Sequence, residues 1–262
     1  MEKHRQDFVK GLPSDTGEYN YPGFKHLEEF IAQHESLFVI FNGVSPEEFE
    51  KHQDHFPRRL DYSPSLQLLI LNIPVLPHEE AVGVFGALVG SKAVEMSIRN
   101  KIYFRGSTLS TSPGRRKEPD SSWSPRPNPP GRSLDWPTVV LEVGFSESSE
   151  KVKRDISWWL HESKGNVLLG ITIDIKRPSG NIYITSWERG GMPTRLHPNP
   201  EPRPMQEIKI SRNPTSLTGD DLVIPFHQMM LRNPGPREGD FVFTKNELQD
   251  LAEGVWEVMG LV

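Results

Sequence analysis

The sequence predicts a mixed α/β (α+β) fold, a mixed sheet flanked by helices, and three observations carry that expectation. TVVLEVG at 138–144 is an apolar strand run, and the stretches at 77–96 and 148–163 on either side of it repeat apolar residues at the helical period. Farther on, NVLLGITIDI (166–175) and NIYITSWE (181–188) are strand-like runs separated by KRPSG, the pattern of a hairpin. Strands interleaved with helices belong to this class rather than to an all-helical or all-β one.

Each element has its own reason. Residues 1–22 are polar with Gly and Pro and are expected to form a flexible leader, followed by one domain over 23–262. FKHLEEFIAQHE (24–35) has the spacing of a short helix, and Ser45 is placed to cap a second over 45–52, with two glutamates in its first turn. SLQLLILNIP (65–74) is a strand-like run closed by proline. In 77–96, Pro77 suits the first helical turn, and Ala81, Val84, Phe85 and Leu88 follow the helical period toward a core. KIYFRGST (101–108) and residues 117–124 are candidate strands, and a loop rich in Pro, Ser and Arg spans 125–137. In 148–163 the apolar stripe is Val152, Ile156, Trp159 and Leu160. Residues 191–205 are proline-rich and read as a surface loop, with weaker strands at 207–212 and 221–227. The last helix is signed by a Thr244/Glu247 capping box and a Phe243/Leu248 staple, and 191–262 is expected to pack on the core as an extension.

Composition narrows the function. There is no cysteine in the 262 residues, which rules out a disulfide framework and a cysteine-based zinc site and fits an intracellular compartment, cytoplasm or nucleus. No apolar run reaches membrane-spanning length, and the first residues lack the apolar stretch of a secretory signal, so neither membrane insertion nor secretion is expected. A net charge of −5 argues against a protein that coats nucleic acid by charge alone. Local basic groups remain in the stretch Arg105, Arg115, Arg116, Lys117, Arg126 and Arg132 and at Lys151, Lys153 and Arg154.

Glu142 is the chemical anomaly. It is one carboxylate in an otherwise apolar strand, on the face opposite Val139, Leu141 and Val143. Burying it requires a metal, an arginine partner or other donors, unless that strand end is exposed. Upstream, Lys117-Glu118-Pro119-Asp120 places a second carboxylate just after a proline, where a strand starts or runs along an edge. Two carboxylates on adjacent strands can share a hard cation such as Mg²⁺.

Pro119-Asp120, a loop, and an apolar strand ending Glu142-Val143-Gly144 together resemble the PD-(D/E)XK, or restriction-endonuclease-like, nuclease superfamily. The order of elements over 77–188 is similar to that superfamily's αβββαβ core. EPDSSW…PTVVLEVGFSES…WWL…ITIDI also resembles a set of uncharacterised fungal proteins and a bacterial branch of endonuclease-like proteins. The resemblance implies a Mg²⁺- or Mn²⁺-dependent nuclease, a hydrolase of phosphodiesters acting on nucleic acid and first of all on DNA. Asp120, Glu142 and the Val143 carbonyl would hold the metal, and a homodimer would serve to cut two strands. The superfamily's lysine two residues after the glutamate is absent, because that position is Gly144. Some relatives supply it from the next helix, where the candidates are Lys151 and Lys153, and the helical wheel favours Lys153 as nearer the apolar stripe. The glutamate of the first core helix has Glu79 and Glu80 as candidates, with Glu80 nearer the apolar face, while His78 is expected to be packed and non-catalytic. Arg115, Arg116, Lys117 and Lys151 are candidate phosphate contacts. Gly144 also motivates an alternative, a catalytically inactive nuclease-fold protein that binds nucleic acid or a protein partner.

Overall fold

The computed structural model describes residues 2–33, 36–57, 59–73, 75–146, 149–191, 194–195 and 200–261. Four sequence expectations fall partly outside those residues: the end of the 24–35 helix, the proline closing the 65–74 run, the first residue of the 148–163 helix, and much of the segment 191–205. The chain divides into two compact units, residues 1–75 with 109–118, and residues 76–108 with 119–262.

The first unit is a six-stranded sheet in the order Gly17–Asn20, Phe38–Asn42, Leu68–Asn72, Arg59–Ser63, Arg115–Lys117, Ser110–Ser112. Alternation along its strands sorts the side chains into two clusters. Val39, Phe41, Leu69 and Leu71 face Leu27, Ile31, Phe49 and Tyr62, whereas Ile40, Leu68 and Ile70 face Phe8. Phe8 belongs to the helix Glu2–Val9, and Gly17–Asn20 pairs in parallel with Phe38–Asn42. The leader expected over 1–22 is therefore ordered structure. Phe8, with Val9 and Leu12 beside it, covers a sheet face, and the leader's strand supplies an edge. Lys117 and Arg116 pair in register with Asp61 and Tyr62. Glu118 accepts the Leu60 N–H at 3.1 Å, and burial pushes its carboxyl up to about 7.

The second unit holds a seven-stranded sheet in the order Ser216–Thr218, Arg203–Ser211, Ile182–Glu188, Leu169–Lys176, Val139–Ser146, Ser121–Pro125, Ile102–Phe104. Val139–Ser146 and Leu169–Lys176 run parallel, joined by the helix Glu150–Glu162, and Leu169–Lys176 forms the expected antiparallel hairpin with Ile182–Glu188. Taken along the chain, the helix Leu76–Glu95, the strands Ile102–Phe104, Ser121–Pro125 and Val139–Ser146, the helix Glu150–Glu162 and the strand Leu169–Lys176 make an αβββαβ core. The segment expected as a strand over 117–124 is two strands in different units. Pro119, which has no N–H to give a ladder, lies between them.

Val139, Leu141 and Val143, with Ile171, Ile173 and Ile175, face the main core, where Ala81 and Phe85 of the first core helix meet Leu248, Leu251 and Val255 of the helix Lys245–Val258. That last helix starts at the capping box read from sequence: Thr244 Oγ1 accepts the Glu247 N–H at 3.3 Å, and Glu247 Oε2 accepts the Thr244 N–H at 2.8 Å. Val140 lies on the opposite face with Ile156, Trp159 and Leu160 of the helix Glu150–Glu162. Among the described residues no helix is long and apolar enough to cross a membrane.

Candidate active site

The strand Val139–Ser146 carries Glu142 on the face covered by Glu150–Glu162. The side chain is 5% exposed, and the Trp159 indole N–H donates to its Oε1 at 2.5 Å. A neutral donor aligned on a buried carboxylate offsets part of its desolvation cost. Asp120, also 5% exposed, stands just before Ser121–Pro125, the antiparallel neighbour of the glutamate strand. Its own N–H donates to the Leu141 carbonyl at 3.1 Å, and its Oδ2 accepts the Val143 N–H at 2.6 Å. Asp120 thus continues the ladder by one rung with its side chain, fixing the carboxylate beside the residue that follows Glu142. Its Oδ1 lies 3.3 Å from Nε2 of His78, whose Nδ1 is 3.0 Å from Glu79 Oε1. Val143 is buried opposite Ile173 in the parallel ladder.

His78, expected only to pack, is thus the first-helix residue that meets Asp120. Glu79 reaches the site through His78, while Glu80 is half-buried against Gly254 on the last helix, 3.1 Å from where a Cβ on that glycine would sit.

Steric geometry accounts for the glycine at 144. A Cβ there would lie 2.4 Å from Cγ2 of Val152, so the helix Glu150–Glu162 sits directly on the strand at the place where the superfamily carries its lysine. Of the two helix lysines, Lys153 is exposed, with its ammonium in no hydrogen bond or ion pair among the described residues. Lys151 is the inward one, paired with the buried Asp155 one turn on, and Trp159, which holds Glu142, follows after another turn. Distance from the apolar stripe favours Lys153, but Asp155, 2% exposed, turns the 151–155–159 line inward.

The same face carries a polar cluster that the sequence reading did not single out. In the parallel register Thr172 stands beside Glu142 and Asp174 beside Gly144. Asp174 is 5% exposed, its Oδ2 is 2.7 Å from Lys176 Nζ, and Lys176 donates to Ser149 Oγ at 2.8 Å. The other oxygen, Oδ1, has no hydrogen-bond partner among the described residues. Period-two alternation in ITIDIK, with Thr172, Asp174 and Lys176 at every second place, was the available signal.

The candidate phosphate contacts are engaged within the protein. Arg115 forms a two-pronged pair with Asp61, Arg116 meets Glu50, and Lys117 is 4% exposed. All three lie in the first unit, and Lys151 is committed to Asp155. Local counts of basic residues do not reveal partners that are distant in sequence, so Arg115, Arg116 and Lys151 are paired where the linear pattern reads them as surface cations.

No protein-family model matches this chain, and no curated protein matches it. Among solved structures it is similar to the crystal structure of a candidate nuclease of the DUF820 family from Anabaena variabilis, with 14% identity over 81% of this chain and 99% of that chain and a TM-score of 0.47.

Proposed function

We propose that this protein is a Mg²⁺- or Mn²⁺-dependent phosphodiesterase of the restriction-endonuclease-like kind, acting on nucleic acid and first of all on DNA. One observation carries the reading. Within an αβββαβ core, Asp120 is locked by the Val143 N–H to the strand that bears Glu142, and both carboxylates are buried.

The donor set fits a hard divalent cation. Both side chains offer oxygen, the ligand such an ion prefers, although among the described residues no group of three or more His, Cys, Asp and Glu side chains is gathered that could hold a metal ion. Asp120, Glu142 and the Val143 carbonyl would hold it. Such an ion, when bound, neutralises charge on a phosphodiester and makes water more acidic. Trp159 orients Glu142, and His78 faces the Asp120 oxygen that Val143 leaves over. Lys151, on the helix line that leads to Trp159, is the lysine this reading uses in place of Lys153, and it must leave Asp155 to act.

Plasmid cleavage in Mg²⁺ and in Mn²⁺ tests the proposal. The wild type should cut, and Asp120→Asn and Glu142→Gln should each lose cutting while keeping their thermal transition. Cutting at the wild-type rate by the double variant would sink it. A second reading, a nuclease fold that binds without cutting, is favoured by Gly144, where the helix leaves no room for the same-strand lysine. Metal-independent binding of nucleic acid with no turnover would select it.

A further inference from the structure

The strand Ile102–Phe104 is the last in its sheet, and beside it the second unit carries positive charge that the reading above does not use. Two depressions adjoin there. One, of about 720 Å³, is lined by Lys101, Arg126, Arg232 and Glu238 among apolar and proline residues. The other, of about 490 Å³, is lined by Arg99, Asn100, Val94 and again Arg126, so the two meet at that arginine. Four cations thus line a surface with Glu238 as its one lining carboxylate, on a chain whose net charge is −5.

Glu238 cancels Arg232 and leaves the other three cations. It accepts two bonds from Arg232 at 2.5 and 2.8 Å and one from the Gly235 N–H at 2.7 Å, and these donors hold its carboxyl down at about 2. Lys101 touches it only at 3.4 Å and keeps half of its side chain in solvent. Arg99 and Arg126 form no ion pair among the described residues. Each lies over an aromatic ring instead, Arg99 3.7 Å above Phe104 and Arg126 5.4 Å above Tyr103. A guanidinium stacked on a ring keeps its N–H edge available for oxygen ligands and is fixed in place before it meets them. Tyr103, under Arg126, is itself 40% exposed.

We infer that this sheet edge, with Arg99, Lys101 and Arg126 beside the strand Ile102–Phe104, is the surface on which a nucleic-acid strand docks through its phosphodiester backbone. The inference rests on the nucleic-acid reading of the Asp120–Glu142 site and adds where the substrate is held. Cations spread over two neighbouring depressions match a chain of phosphates better than a single small anion. The exposed Tyr103 ring beside Arg126 suits a base. An anionic membrane would ask for a larger exposed apolar area than Val94 and Tyr103 offer.

The test is fluorescence anisotropy of a labelled 20-nucleotide strand and of the same sequence as a duplex, with the full chain in EDTA, across a salt series. Arg99→Gln with Arg126→Gln is compared with the wild type and with Lys3→Gln plus Lys25→Gln, a control of equal charge change on exposed residues of the first unit. Circular dichroism and the melting temperature verify folding, and Lys101→Gln provides a milder second variant. The arginine pair should weaken binding about tenfold or more and flatten the slope of log affinity against log salt by about 1.4 for the single strand, with the control within about twofold. Equal losses in pair and control, an unchanged slope, no binding by the wild type, or binding to phosphatidylserine vesicles but not to the oligonucleotides would each overturn the inference. Cleavage separates the two claims. A wild type that cuts, with cutting and binding unaffected by the arginine pair, overturns only the docking surface. Binding lost in the pair without any cutting keeps the surface and overturns the nuclease reading.

Discussion

Replacing Gly144 by alanine isolates the contact that excludes a lysine from the glutamate strand. A new Cβ would stand 2.4 Å from Val152 Cγ2, where two carbons are comfortable at about 3.5–4.0 Å. More than an ångström must be recovered. Valine is stiff about χ1, so it cannot swing aside as a long side chain would. Overpacking of this kind costs about 1–3 kcal/mol. Val152→Ala removes two buried carbons, at about 0.8 kcal/mol each plus a cavity term, giving about 2 kcal/mol. In the double variant the new methyl occupies part of the space the valine vacates. The total should stay near 2 kcal/mol instead of the roughly 4 expected from addition, a coupling of about 2 kcal/mol. The assay is urea denaturation followed by tryptophan fluorescence. All six tryptophans lie in the second unit, so the signal reports the unit that contains the contact. Strict additivity would refute the reasoning. For the same reason Gly144→Lys should destabilise the second unit and bring no gain in cleavage.

Other expectations follow from single contacts. Trp159→Phe removes the N–H on Glu142 and should cost about 1–3 kcal/mol, with part recovered in Glu142→Gln, as a double-mutant cycle by chemical denaturation would read. Thr244→Ala breaks the capping box and should lower stability by about 1 kcal/mol, measured in the same way. Glu118 holds its proton more tightly folded, at about 7, than unfolded, near 4.5. Its contribution is therefore complete below about 4.5 and is lost as pH rises toward 7, by at most about 3 kcal/mol. Calorimetry from pH 4.5 to 8 should show that decline flattened in Glu118→Gln, and an equal decline in both proteins would reject the assignment.

The second unit was largely legible in the sequence because its elements are signed locally. The strand at 138–144, the hairpin, the flanking helices and the capped last helix rest on periodicity and caps, and all are found close to where the pattern places them. The first unit was less legible. Its strands Phe38–Asn42 and Arg59–Ser63 are short, and the latter mixes Asp61 into its buried residues, a charge that makes sense only once Arg115 arrives from 54 positions away. At the candidate site, alternation singled out Glu142. The bond from Val143 to Asp120, the approach of His78 and the inward turn of Lys151 all depend on tertiary contacts, which no local rule encodes.

The hairpin at 109–118 makes the first unit discontinuous, with a consequence for how the protein is made. The ribosome delivers residues 1–75 well before the two strands that finish their sheet. At about 5–20 residues per second the delay is roughly 2–9 seconds. Through that interval Arg59–Ser63 is an edge without its neighbour, the kind of surface on which nascent chains mispair. Asp61, an inward-pointing charge on that very strand, discourages a wrong partner until Arg115 emerges, and the same residue that guards the growing chain then becomes the buried half of its clasp.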